Sequence, residues 1–256
     1  MPDTSLQVIP WQNVQAVWHH KIVSNSGPPT YESSSRHIYT VGCTDGTKIT
    51  IGNIYQSKNI EQIGHMIEKE TARYLFPAIW NSYQMGQPIV FGPLTVTSEG
   101  LSHQSHLLLW SEMKRIKIVC GTIEIKKHGK RFDWVSVKLV DVPNIEVFKR
   151  LVQHVTSEAA RQLFPAILSS YQMGQPIVFG SLTVTPEGLS HGSRMLPWTR
   201  ITTRSIRPDE ISDSRLIIRE PGKRFVWASV DLADVPQIEV FWMLVRHIRS
   251  VSLQGI

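Results

Sequence analysis

Along residues 145–163 the apolar side chains Ile145, Phe148, Leu151, Val152, Val155, Ala159 and Leu163 recur at every third or fourth position, which is the spacing of one helix face. The stripe follows "DVPN" at 141–144, where the Pro suits a first turn and the Asp and Asn are capping types. It runs past Pro165 to Gly174. That predicts a helix of roughly 30 residues, or ~45 Å at 1.5 Å per residue, kinked at Pro165 because the ring displaces the carbonyl four residues back. Asn59–Met85 has the same layout, with Pro77 inside and Gly86 as terminator.

Between the helical stretches the pattern changes to period two. In Trp134–Leu139, Val135, Val137 and Leu139 alternate with Trp134, Ser136 and Lys138, as in a sheet with one buried face. Ala228, Val230 and Leu232 repeat this inward set. "GTIEIKK" and "RFDWVSVKL" flank His128-Gly129, a two-residue hairpin connection. Ile89–Thr97 and Leu101–Leu109 read as a second hairpin about the "SEG" turn, and Trp110–Val119 as a further strand. Five antiparallel strands and one helix are expected per unit.

These units repeat. "YQMGQPIVFG" stands at 83–92 and again at 171–180, "ARYLFPAI" at 72–79 answers "ARQLFPAI" at 160–167, and "GKRFDWVSVKLVDVPNIEVF" (129–148) answers "GKRFVWASVDLADVPQIEVF" (222–241). A third echo lies in front: "IPWQNV" at 9–14 resembles "LPWTRI" at 196–201, and "NIEQIGHMI" at 59–67 resembles "NIEVFKRLV" at 144–152. Residues 1–82, 83–170 and 171–256 are therefore read as an incomplete and two complete repeats. The identical decamer is read as a joint: last helical turn, Gly cap, Gln-Pro stop and first strand of the next repeat. The front repeat starts at "IPW", as if the chain were a fragment or began at a late start codon, unless residues 1–10 supply a short substitute strand. "HHKIVSNSGPPTYESSSR" is expected to be a polar, mobile loop.

The "FG-L-V-EGL", "LPW-I" and "DVPN" signatures, over about residues 10–249, resemble those of tandem bacterial pleckstrin-homology-like (PH-like) proteins whose family function is unassigned. The resemblance implies an α+β fold: tandem PH-like units, each an antiparallel sheet or partial barrel closed by a C-terminal amphipathic helix, the units joined by long Pro-kinked helices. Five expected strands fall short of the seven of the full PH fold.

Composition adds little chemistry. The 256 residues are 41% apolar and 19% charged, with two cysteines and no membrane-length apolar run. A reducing, cytoplasmic setting is the default for so few cysteines, and no secretory signal is visible. "GLSHG" at 188–192 matches the serine-hydrolase pattern, but Ser190 falls in a hairpin, where that motif needs a strand–turn–helix. His103 and His191 recur without a carboxylate or cysteine at triad spacing. His19-His20 lacks partners at metal-ligand spacing, and no phosphate loop occurs. No catalytic residue, cofactor, metal or small-molecule substrate is expected.

Two surfaces remain. "KKHGKR" at 126–131, answered by Lys223-Arg224, gives Lys126, Lys127, Lys130, Arg131, Lys223 and Arg224 as candidate contacts for an anionic membrane surface, consistent with a net charge of +6. In lipid-binding PH domains the basic loop joins the first two strands, where this chain has the neutral-to-acidic "TSEGLSH". Aromatic residues do not interleave with the basic run, which speaks against nucleic acid. Phe132, Trp134, Phe225 and Trp227 stand on the nominally polar sheet face, and aromatic residues there mark an interface. The expected function is a non-enzymatic binding or scaffolding module with an unknown protein partner. Peripheral binding to anionic headgroups is the alternative.

Overall fold

A computed structural model describes residues 8–24, 34–52, 58–130, 132–202, 205–208, 215–223 and 225–254. They form two compact bodies, residues 1–110 with 116–154, and residues 111–115 with 155–256. The architecture is mixed α+β, with three long helices and several small antiparallel sheets, and no closed barrel forms among the described residues.

In the first body, β1 (Val14–Ser24), β2 (Ser34–Cys43) and β3 (Lys48–Gly52) pair in that order and are followed by α1 (Lys58–Gln84). A four-stranded meander follows: β4 (Ile89–Phe91), β5 (Leu94–Val96), β6 (Gly100–His103) and β7 (His106–Leu109). After a 3-10 turn at Trp110–Glu112 come β8 (Met113–Val119), β9 (Thr122–Lys127) and β10 (Asp133–Lys138), then α2 (Ile145–Gln172); residues 111–115 and α2 from Val155 onward are counted with the second body. The second body repeats the order. It has a meander of β11 (Ile177–Phe179), β12 (Leu182–Val184), β13 (Gly188–His191) and β14 (Arg194–Pro197). A three-stranded sheet of β15 (Ile206–Pro208), β16 (Arg215–Arg219) and β17 (Val226–Asp231) leads to α3 (Ile238–Gln254).

The middle and last repeats therefore have seven strands, where the sequence pattern predicts five. Ile89–Thr97 is two strands, with Phe91 paired to Leu94 across a turn in which Gly92 takes φ +60°. Leu101–Leu109 is likewise two strands, reversing at Gln104 with φ +53°. A two-residue turn leaves the apolar alternation almost undisturbed, so the pattern reads through it. The same count holds in the last repeat, where Phe179 pairs with Leu182. The front repeat has three described strands and α1. His19–Ser24 and Ser34–Arg36 are strand, not loop, while residues 25–33 of the expected mobile loop lie outside the described residues. So do residues 1–7 of the expected substitute strand, and residues 8–10 form no strand.

The helix stripe is buried as predicted from Ile145 to Val155, and its last member, Leu163, is exposed. Phe148 meets Phe91 edge to face at 5.3 Å, as Phe241 meets Phe179 at 5.4 Å. Leu139 is buried, but in a 3-10 turn beyond β10. The decamer is a helix-terminating joint in both copies. Gly86 and Gly174 take φ +79° and +80°. Their amides donate to Tyr83 O and Tyr171 O, and the Gln87 and Gln175 amides to Ser82 O and Ser170 O, the paired bonds of a Schellman cap.

The other signatures are also contacts. Trp110 and Trp198 donate their indole N–H to Thr97 O (3.1 Å) and Thr185 O (2.8 Å). Asn144 was a candidate helix cap. Its side chain instead accepts from Val17 N–H (2.9 Å) and donates to Gln15 O (3.2 Å), clamping the edge of β1.

Candidate functional site

Two arrangements stand out, one anticipated and one not. The anticipated one is the aromatic surface. Strand pairing skips Trp134 between Asp133 and Val135, and Trp227 between Val226 and Ala228, so each tryptophan is the extra residue of a β-bulge, a device that re-aims a side chain. Each leans on the recurring histidine of its own meander: His103–Trp134 at 6.4 Å and His191–Trp227 at 6.2 Å between ring centroids. The Arg194 guanidinium lies 5.6 Å from the Trp227 ring. The tryptophans are half-buried by these contacts. Phe132 and Phe225, two residues earlier, are 80% and 86% exposed.

The basic hairpin tips are less alike. Lys126 pairs with Asp133 at 3.3 Å. Lys127 is half-buried, and Lys130 and Lys223 are exposed. Arg131 and Arg224 lie outside the described residues. Glu220, beside the second tip, binds Arg200 at 3.0 Å.

The unanticipated arrangement lies between the front sheet and α1. His19 and Tyr39 are cross-strand partners on β1 and β2, as are Lys21 and His37. From α1, Glu61, His65 and Glu68 project toward them. Gly64 permits the close approach, since a β-carbon there would lie 2.0 Å from the Tyr39 ring. His19, His37 and Glu68 are each buried, and Tyr39 stacks on His19 at 4.3 Å. The hydrogen-bond partners of His19, which its local sequence does not reveal, are 18 and 49 residues away.

One assignment satisfies the bonds with both buried imidazoles neutral. His19 Nδ1–H donates to Glu68 Oε1 (3.1 Å), and His19 Nε2 accepts from His37 Nδ1–H (2.9 Å). His37 Nε2 then accepts from the Ser35 hydroxyl (3.2 Å). His65 Nδ1–H donates to Glu68 Oε2 (3.1 Å). The result is a hydroxyl–imidazole–imidazole–carboxylate–imidazole chain from half-buried Ser35 to exposed His65. Both nitrogens of His19 are used within the chain, and among the described residues no group of histidine, cysteine or carboxylate side chains is arranged to hold a metal ion.

Burial pushes the Tyr39 hydroxyl well above the usual phenol range, reinforced by the Glu68 and Glu61 charges. Burial also lowers the His37 pKa. Glu61 opposes this, while His19, Lys21 and His65 add to it. A histidine whose folded pKa lies below its unfolded value of about 6.5 binds fewer protons folded than unfolded in the window between the two, so stability rises with pH there and is lost as pH falls below about 6.5. Wild type is therefore expected to lose more stability between pH 7.5 and pH 5 than His37→Gln, as urea midpoints at the two pH values; parallel losses would remove His37 from the cause.

A family model described as a family of unknown function (DUF6585) matches residues 3–161 and again residues 152–253. The chain belongs to DUF6585. The first match takes in the front and middle repeats and the second the last repeat, so DUF6585 recurs here in tandem. No curated protein and no solved structure matches this DUF6585 chain. Among its described residues no helix is long and apolar enough to cross a membrane.

Proposed function

We propose that the chain is a non-enzymatic binding or scaffolding module built on PH-like repeats, which engages a protein partner through the paired surfaces at Phe132/Trp134 and Phe225/Trp227. Seven strands divided four and three, followed by one helix, support the PH-like reading of the middle and last repeats. The single observation that carries the function is the copy-for-copy exposure of Phe132 and Phe225. A large ring held in water in both copies offers apolar area that only a partner can cover. The hairpin charge does not recur in the same way: Lys126, Lys127 and Lys130 crowd one tip, whereas the other has Lys223 near the Arg200–Glu220 pair. A headgroup site would draw on the charge and a protein site on the rings, and the rings are what both copies share.

The test compares wild type with Phe132→Asp/Phe225→Asp. Affinity capture followed by binding measurements on the purified partner should give a complex weakened at least ~100-fold, about 2.7 kcal/mol, by the double substitution. Wild type should also remain unbound to phosphatidylserine vesicles at low salt, where charge attraction is strongest. Equal capture by both forms, or salt-sensitive flotation with vesicles, would overturn this reading in favour of another surface or of the membrane.

A further inference from the structure

Three imidazoles and two carboxylates meet in the seam between the front sheet and α1. β1 presents His19 and Lys21, β2 presents Ser35, His37 and Tyr39, and α1 presents Glu61, His65 and Glu68. In the same rows β3 supplies Ile49 and Ile51, the cross-strand partners of Val41 and Tyr39, and no charge. Glu61 Oε1 stands 3.7 Å from His37 Nε2 and 3.8 Å from His65 Nε2. Burial keeps the Tyr39 phenol neutral.

This seam accepts one proton on its buried pair with every bond kept. On His37 Nε2 the proton makes an imidazolium that still donates Nδ1–H to His19, turns the Ser35 hydroxyl into an acceptor and faces Glu61. A second proton on the pair has no such place. Both nitrogens of the 2.9 Å bond would then carry hydrogen, so the bond is lost and two cations oppose each other.

Little else holds this part of α1. The apolar cluster beneath it is Val14, Val17 and Val41, with Ile9 and Ile67 partly buried beside them. α3, by contrast, brings Val240, Phe241, Leu244, Val245 and Ile248 to its own core. Gly64 adds no side chain to the contact and weakens the helix. The far half of α1 is anchored separately, where Phe76 and Trp80 pack on His154 at 4.8 and 5.5 Å.

We propose that the front repeat is an acid-operated latch, in which a second proton on the His19–His37 pair releases residues 58–70 of α1 from β1 and β2 while the rest of that body stays folded. Even the first proton is disfavoured: burial lowers the His37 pKa against the opposing Glu61 charge, and His19, Lys21 and His65 add to the lowering. Opening returns the imidazoles to water and so takes up protons. The closed seam therefore loses stability as pH falls below about 6.5, the value for an open histidine. The latch is separate from the Phe132 and Phe225 surfaces and stands or falls without them.

The test is hydrogen exchange on the full chain at pH 7.5 and pH 5, with rates corrected for the intrinsic pH dependence of amide exchange. Protection of the Ile60–Glu70 amides falls about tenfold or more on acidification, while that of Val147–Leu151 in α2 stays within about twofold. His37→Gln, whose amide can still donate to His19 but takes up no proton, abolishes the response. His65→Gln, altered outside the bonded pair, keeps it. Unchanged protection of residues 60–70 in wild type overturns the latch. So does an equal loss in α2, which marks unfolding of the whole body. A response retained in His37→Gln, or lost in His65→Gln, overturns its assignment to the buried pair.

Discussion

Gly180→Ala is expected to lower stability by roughly 3 kcal/mol or more, against about 1 kcal/mol for Gly174→Ala, although both glycines sit at positive φ. The difference lies in what a methyl group would meet. At Gly174 (φ +80°) it would point into open space, so the cost is that of a left-handed alanine alone. At Gly180 (φ +63°) it would lie 2.0 Å from the carbonyl oxygen of Asp234, a backbone atom that no rotamer change can move. The first turn of the meander and the "DVP" segment leading into α3 must then separate, opening the contact between Phe179 and Phe241. Gly92 stands in the same relation to Asp141 O, at 1.9 Å, and the same loss is expected there. In a chain of this size 1 kcal/mol moves a melting temperature by about 2–4 °C, so calorimetry should separate a drop of ~6–12 °C from one of ~2–4 °C. Equal drops would mean that close packing is not what the "FG" glycine provides.

That contact explains why two short signatures, "FG" and "DVP", forty-nine positions apart from Gly92 to Asp141 and fifty-four from Gly180 to Asp234, recur together: the middle and last repeats each close by laying one on the other. The sequence shows both strings but not their meeting. What it does reveal is whatever a local rule governs. The long helices are visible because a 3.6-residue stripe persists through Pro77 and Pro165, and the Schellman caps are visible because Gly86 and Gly174 end the stripe. Strand number is hidden because the turns at Gly92 and Gln104 preserve alternation on either side. Asn144 looks like a cap because caps favour that residue type, but its partners in β1 are more than 120 residues away.

The aromatic surface is legible through its duplication, although the bulges that turn Trp134 and Trp227 against histidines are not. The relay in the front repeat is the least legible feature. Its members come from β1, β2 and α1, and no sequence spacing joins them. The available hint is compositional. Glu61, His65 and Glu68 recur at four and three residues along α1, and among them Gly64 stands where α2 has the buried Val152 when the helices are aligned on Gly86 and Gly174. A glycine there leaves room for a ring from the sheet, and a buried polar residue beside it has to find partners or pay for burial.

Glu68→Ala should therefore cost roughly 2–4 kcal/mol, because it leaves buried His19 Nδ1–H without an acceptor and opens a void. The informative comparison is with His19→Leu and with His19→Leu/Glu68→Leu. Removing one member strands its partner, whereas removing both leaves an aliphatic contact of the type that Leu151 and Leu244 make in the other repeats, and such wholesale replacement of buried polar groups is often neutral or stabilising. The double substitution is expected to cost less than Glu68→Ala alone, giving a coupling of about 1–3 kcal/mol in a double-mutant cycle completed with Glu68→Leu and measured by urea unfolding. Additive losses would show that His19 and Glu68 do not act on stability as a pair. If the coupling is found, the relay is a polar core that an apolar one could replace at little loss, so stability alone does not account for it. The pH response assigned to His37 is then the property that distinguishes the front repeat from its sisters, because among the described residues only there do buried imidazoles and a buried carboxylate occupy the space between sheet and helix.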